Sequence, residues 1–221
     1  MHLRCCGNDE VANLFKISNF FKIVPKNILD TQYPRIHVMH LHLETPYTVP
    51  GQLDPVRQFE EKCILNNNLY EKIHNEAGSD VELTRSEIQN GRFIRDAIIH
   101  PRAEAVPAAI KVFVGTDALD FREHTTYDLK THRGETETSL LAGPFKGKIS
   151  AKISFSLRSA APFQPRTVTH ALDADIRANV WLIGGKLEKT MAKEIEAKQP
   201  QIQNMTQTAL NTVHQELEEA A

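Results

Sequence analysis

From residue 36 onward the apolar positions fall into short blocks, and their period changes once. Met39, Leu41 and Leu43 alternate with His40, His42 and Glu44, the period of two that a half-buried strand needs, so Ile36 to Tyr47 is expected to be extended. Pro46, Pro50 and Gly51 close it. Asp54 ahead of Pro55 sets a capping side chain before a residue whose fixed φ suits the first helical position, and Val56, Phe59, Cys63 and Ile64 follow at helical spacing. The Asn66-Asn67-Asn68 cluster should stop that helix, and Leu69, Tyr70, Ile73 and Ala77 mark a second one ending at Gly78. Val81 to Gln89 and Arg92 to Pro101 flank Asn90-Gly91, a hairpin signal because both turn positions need positive φ.

Pro107 then opens a brief helical turn over Ala108 to Val114, and strands are expected at Leu119 to Leu129, Glu135 to Leu141 and Phe145 to Leu157. In the last of these, Ile149, Ala151, Ile153 and Phe155 alternate with Ser150, Lys152 and Ser154, one face apolar and one wet. A Pro-rich connection at 160 to 166 leads to Val168, His170, Leu172, Ala174, Ile176, Ala178, Val180 and Leu182, a long seventh strand. Gly184-Gly185 switches the period to 3.6. Leu187, Met191, Ile195, Ile202, Met205, Ala209, Val213 and Leu217 form a single apolar stripe. Pro200 should bend this helix without ending it. At 1.5 Å per residue the span is about 45–50 Å, enough to cross a twisted sheet.

One strand, two short helices, six strands and a long last helix resemble the α+β helix-grip fold of the START-like superfamily, with a seven-stranded antiparallel sheet and the C-terminal helix across its concave face. The junction Val180-Trp181-Leu182-Ile183-Gly184-Gly185-Lys186-Leu187-Glu188-Lys189 is similar to the strand-to-helix junction of the uncharacterised family called domain of unknown function 2505. Val106-Pro107-Ala108-Ala109-Ile110 to Gly115, and Asn67 to Leu83 with Tyr70-Glu71-Lys72, are similar to the same family. The resemblance covers about residues 36 to 200, and that family carries no known catalytic residues to transfer. It implies a helix-grip domain over 35–221. Superfamily relatives use the gap between sheet and helix as an apolar ligand cavity, for which Phe121, Ile149, Ile153, Phe155, His170, Leu172, Ile176, Met191, Ile195 and Met205 are the candidate lining. Plain core is the competing reading of the aliphatic ones. His170, in phase with Val168 and Leu172, either orients a ligand head group or is a satisfied structural histidine.

Charge narrows the partners. Lys and Arg number 26 against 28 Asp and Glu in 221 residues, a net charge of -2, so there is no electrostatic case for nucleic acid. Cys5, Cys6 and Cys63 do not make a disulfide framework and point to a reducing, cytoplasmic compartment. Residues 1 to 34 read as a leader dispensable to the domain, or lying upstream of a start at Met39. Peripheral membrane contact through the Phe- and Lys-bearing stretch 11–24 is the alternative.

Chemical motifs are few. His40 and His42 lack a third metal ligand, Gly184-Gly185-Lys186 lacks the spacing of a phosphate-binding loop, and Asp173, Asp175 and Arg177 read as a charged outer ladder. No cofactor and no metal are expected. The leading expectation is non-catalytic binding of a small hydrophobic molecule, such as a lipid, isoprenoid or polyketide-like compound. An interaction module using the sheet or the extended helix is the alternative, and a cyclase or hydrolase-type enzyme with His170 in a cavity is a third.

Overall fold

The computed structural model describes residues 38–219 apart from 52, 107–110, 112–118, 144, 160–165 and 181–182. The expected leader 1–34, its membrane-contacting stretch 11–24 and nearly all of the turn Ala108 to Val114 lie outside the described residues. The strands are β1 (Met39–Thr48), β2 (Ser79–Gln89), β3 (Arg92–Pro101), β4 (Phe121–Asp128), β5 (Arg133–Leu140), β6 (Ile149–Ser159) and β7 (Thr167–Ala178). They form one antiparallel sheet in the order β1-β7-β6-β5-β4-β3-β2. Strands β2 to β7 are therefore a plain meander, and β1 is added beside β7. This is the expected helix-grip architecture.

Local chemistry sets the element ends. Asp54 Oδ1 accepts the Arg57 amide at 2.9 Å and starts helix α1 (Pro55–Phe59). A π-helical turn, Glu60–Ile64, extends it, with the Leu65 amide donating to the Glu60 carbonyl at 2.9 Å. The asparagine cluster does more than stop this segment: Asn66 Oδ1 accepts the Leu69 amide at 3.0 Å and caps α2 (Asn67–Glu76). At the hairpin tip Asn90 and Gly91 have φ of 52° and 75°, as a type I′ turn requires.

Two boundaries differ from the sequence expectation by more than three residues. Phe145 to Lys148 is a turn, in which the Gly147 amide donates to the Leu140 carbonyl, so β6 begins only at Ile149. Strand β7 ends at Ala178 and does not run to Leu182, because the last helix packs directly onto its end. A Cβ on Gly184 would lie 2.1 Å from the Ala178 carbonyl oxygen. Buried Glu188 accepts the Ala178 amide at 2.9 Å. That helix, α3 (Gly184–Glu219), continues through Pro200.

Buried side chains fall into three clusters among the described residues. Tyr47, Phe59, Phe93, Tyr127, Leu157, Val168 and Leu210 pack one end of the inner sheet face. Leu119, Leu140, Ile149, Ala178 and Leu187 pack the other. Tyr70, Ala97 and Ile99 tie α2 to β3.

Candidate functional site

The strand register lays out the inner face row by row. Leu41, Ala174, Ile153, Thr136, Thr125 and Arg95 stand opposite one another across β1, β7, β6, β5, β4 and β3. One row away lie Leu43, Leu172, Phe155, Gly134, Tyr127 and Phe93, and on the other side Ile176, Ala151, Thr138, Glu123 and Ala97. The face is thus divided. Its β1, β7 and β6 half is apolar, and its β5, β4 and β3 half carries Thr136, Thr138, Thr125, Glu123 and Arg95.

The centre of this face is not closed. Ala151, Ile153, Phe155, Leu172, Thr136 and Thr138 are only half-buried, while Ile149 and Leu140 at one end and Leu157 and Val168 at the other are buried. Helix α3 shows the same profile along its own length. Gly184, Leu187, Glu188 and Ala192 are buried near its start, and Thr206 and Leu210 near its far seat, yet no residue from 193 to 205 is buried. Those thirteen positions span about 20 Å of helix. Over that stretch α3 is tethered by polar reach: Lys198 Nζ donates to the Ala77 carbonyl at 2.7 Å and Gln199 Nε2 to Thr45 Oγ1 at 2.9 Å. Apolar packing seats the two ends.

Among the described residues two inward side-chain polar atoms are sealed from solvent without a hydrogen-bond partner, Arg95 Nε and His170 Nε2. His170 lies between the rings of Phe59, 6.1 Å away, and Phe155, 5.8 Å away and edge-on. Burial lowers its pKa from the usual 6.5 to about 4, so the imidazole is neutral. No carboxylate orients it. Phe155 in turn stacks on Tyr127 at 5.7 Å, a placement that needs Gly134, where a Cβ would meet the Phe155 ring at 2.4 Å. Tyr127 donates to Glu60 Oε1 at 2.7 Å, which also receives His132 Nδ1 at 2.7 Å. This acid is satisfied and structural. Burial pushes the Cys63 thiol up to about 12, which removes it as a nucleophile.

Of the residues expected to line the site, Ile153, Phe155, His170 and Leu172 share its centre. Met191, Ile195 and Met205 lie half-buried on α3, on or beside its lifted stretch, and half-buried Phe121 packs between two of the clusters. Ile149 and Ile176 are fully packed, at 4% and 0% exposure, and belong to the core. The polar part was missed. Arg95 in phase with Phe93, Ala97 and Ile99, and Glu123 in phase with Phe121 and Tyr127, are the signals that point to it. His40 and His42 are outside the site altogether, bound through Nδ1 to Asp175 and Asp173 on the opposite face, each at 2.6 Å. A surface depression of about 720 Å³ on the outer side of α2, between Asn68, Glu71, Asn75 and Arg102, is open and polar. A second, of about 480 Å³, sits at the start of α3 beside Val38 and Met39.

The profile of the protein family of unknown function DUF2505 matches residues 64–210, which takes in α2, strands β2 to β7 and both seats of α3. The chain belongs to that family. Among solved structures, it is similar to dicamba monooxygenase bound to 3,6-dichlorosalicylic acid, at 9% identity and a TM-score of 0.56, over 82% of this chain and 51% of that one. It spans about half the length of that enzyme, and the likeness is one of fold. The protein TTHA0849 from Thermus thermophilus aligns at 12% identity and a TM-score of 0.48, over 79% of this chain and 99% of that one. Ara h 8.0201 aligns at 12% identity and 0.46, over 80% and 99%. A search of curated proteins finds no match. The meander and the long helix laid against it give the chain a helix-grip fold. No helix of the described residues is long and apolar enough to cross a membrane.

Proposed function

We propose that this protein binds a small, largely apolar molecule between the centre of the sheet and the lifted stretch of α3, and does no chemistry on it. The observation that carries the reading is the coincidence of two gaps in burial, residues 193–205 of the helix and the Ala151, Ile153, Thr136 centre of the sheet. Aliphatic side chains left short of full burial on both sides of one interface lose packing that a ligand restores. Against catalysis stand a neutral His170 with no acid beside it and a Cys63 thiol pushed far above neutrality. The interaction-module reading calls for exposed apolar residues beyond Pro200. Among the described residues the large exposed ones are Leu53 and Ile88, and the side chains of 213–221, Val213 and Leu217 included, lie outside them.

Native mass spectrometry of the purified full-length protein, before and after organic extraction, tests the proposal. A discrete adduct that extraction removes is expected, and Ile153→Trp, which fills the centre, should purify without it. A bare protein mass in both states, with no uptake of added lauryl, isoprenoid or aromatic compounds, would overturn it.

A further inference from the structure

We propose that the molecule held under α3 carries a carboxylate and that Arg95 is its anchor; this rests on the ligand-binding reading and specifies the chemistry of that ligand. Arg95 projects from β3 onto the inner face, opposite Thr125, and is 8% exposed. Its guanidinium lies over the Tyr70 ring at 3.6 Å, and Nη1 donates to the Ile64 carbonyl at 3.3 Å. Nε is sealed from solvent and bonds to nothing. Guanidinium stays charged even when burial works against it, as it does here. Glu123 acts on its charge from nearby but bonds to Tyr70 instead, and a buried cation with an unsatisfied donor is among the costlier features a fold retains.

The other arginines show what satisfaction looks like. Arg166, also inward, spreads its donors over the Val49, Pro50 and Leu53 carbonyls and Gln58 Oε1. Arg102 and Arg158 reach Asp80 and Glu44 at the surface. The acid nearest Arg95 by register is Glu123, one inward position along β4, and its Oε1 is taken by the Tyr70 hydroxyl at 2.8 Å. The edge left free on Arg95 is the Nε side, which together with an adjacent Nη makes the two-pronged donor that a carboxylate fits. Glu123 so close by favours a single negative charge over a phosphate dianion.

The rest of the site says how the molecule lies. From Arg95 the row runs through Thr125 and Thr136, whose hydroxyls bond each other at 2.9 Å, to Ile153 on β6. Three strand spacings are about 14 Å, a distance that an acid with a medium-length apolar tail covers. The acid end meets the polar part of the face and the tail meets Ile153, Leu172 and the lifted helix.

Isothermal titration of the full-length protein at neutral pH with dodecanoate, and with dodecan-1-ol as the uncharged control, separates this inference from the one beneath it. Dodecanoate should bind about ten- to hundredfold tighter than the alcohol, the worth of a charge-assisted pair. Arg95→Gln should bring the acid down to the alcohol's affinity and leave the alcohol unchanged. Glu123→Gln, which keeps the acceptor for Tyr70, should tighten the acid alone, and this variant carries the test if Arg95→Gln does not fold. Equal affinity for acid and alcohol in the wild type would overturn the carboxylate anchor while leaving the cavity standing. Failure of both to bind would overturn both.

Discussion

The two ends of the inner sheet face and its middle are built to different standards. At the ends Tyr47, Phe59, Leu157, Val168 and Leu210, or Leu140, Ile149, Ala178 and Leu187, close into buried clusters. In the middle Ile153, Leu172 and Ile195 stop at half-burial, and among the described residues Arg95 on β3 and His170 on β7 each carry a sealed polar atom without a partner. Close packing and full hydrogen bonding are the rule inside proteins. A fold that meets both at its ends and falls short of both over part of its centre is held mainly by the ends.

The largest effect should come from breaking a seat. Leu210→Ala removes a side chain with no exposure at all and should cost about 2–5 kcal/mol. Ile195→Ala, on the lifted stretch of the same helix, should cost about 1 kcal/mol or less, since fewer contacts are lost. Chemical denaturation of the two variants side by side reads the difference, and equal losses would mean that the middle is packed like the ends.

Next in size is acid sensitivity at the centre. His170 titrates near 4 in the fold against 6.5 in an unfolded chain, so below 6.5 the unfolded state takes up a proton that the native state refuses. The stability that neutral His170 supplies is complete above 6.5 and is lost as the pH falls toward 4. The rings facing it, Phe59 and Phe155, offer no charge to offset this. The loss should be on the order of 3 kcal/mol, since the titrating Nε2 is sealed from solvent. His170→Phe should flatten the melting temperature over that interval. Smaller still is the expected cost of Ile153→Trp, about 1 kcal/mol or less, because the extra rings enter unfilled space; in a packed core the same change costs about 1–3 kcal/mol.

How much of this could be read in the chain depends on whether the cause is local. Asp54-Pro55 and Asn90-Gly91 act within a few residues, through a cap and a pair of positive φ angles, and both are where the sequence puts them. The stripe on α3 and the period of two in β6 and β7 likewise name the inner face. The end of β7 is not local. It is fixed by Gly184 crowding Ala178 and by Glu188 reaching back to it, contacts that alternation cannot reveal. The incomplete burial of α3 is invisible for a similar reason: Ile195 and Met205 look the same in a stripe that is fully covered and in one that is half-covered. Arg95 and Glu123 were legible. Their phase with Phe93 and Phe121 turns them inward, and a preference for reading charge as outward hid them.

The outer face of the same sheet supplies the smallest effect and the sharpest contrast of sign. His42 pairs with Asp173 through Nδ1 at 2.6 Å, and that hydrogen bond is the main cause that raises its pKa above 6.5, with Glu44 adding to it. A histidine whose folded pKa is raised adds stability below 6.5, and that contribution fades as the pH rises through the folded value, opposite to His170. Being fully solvated, the pair is screened by water and salt and should leave no detectable slope in the melting curve. Proton NMR titration sees it directly. In Asp173→Asn the His42 midpoint should fall back toward 6.5, while the His170 midpoint, on the other face, should not move. A shift of both together would mean that the two faces are coupled through β7 and that the inner site senses charge from outside.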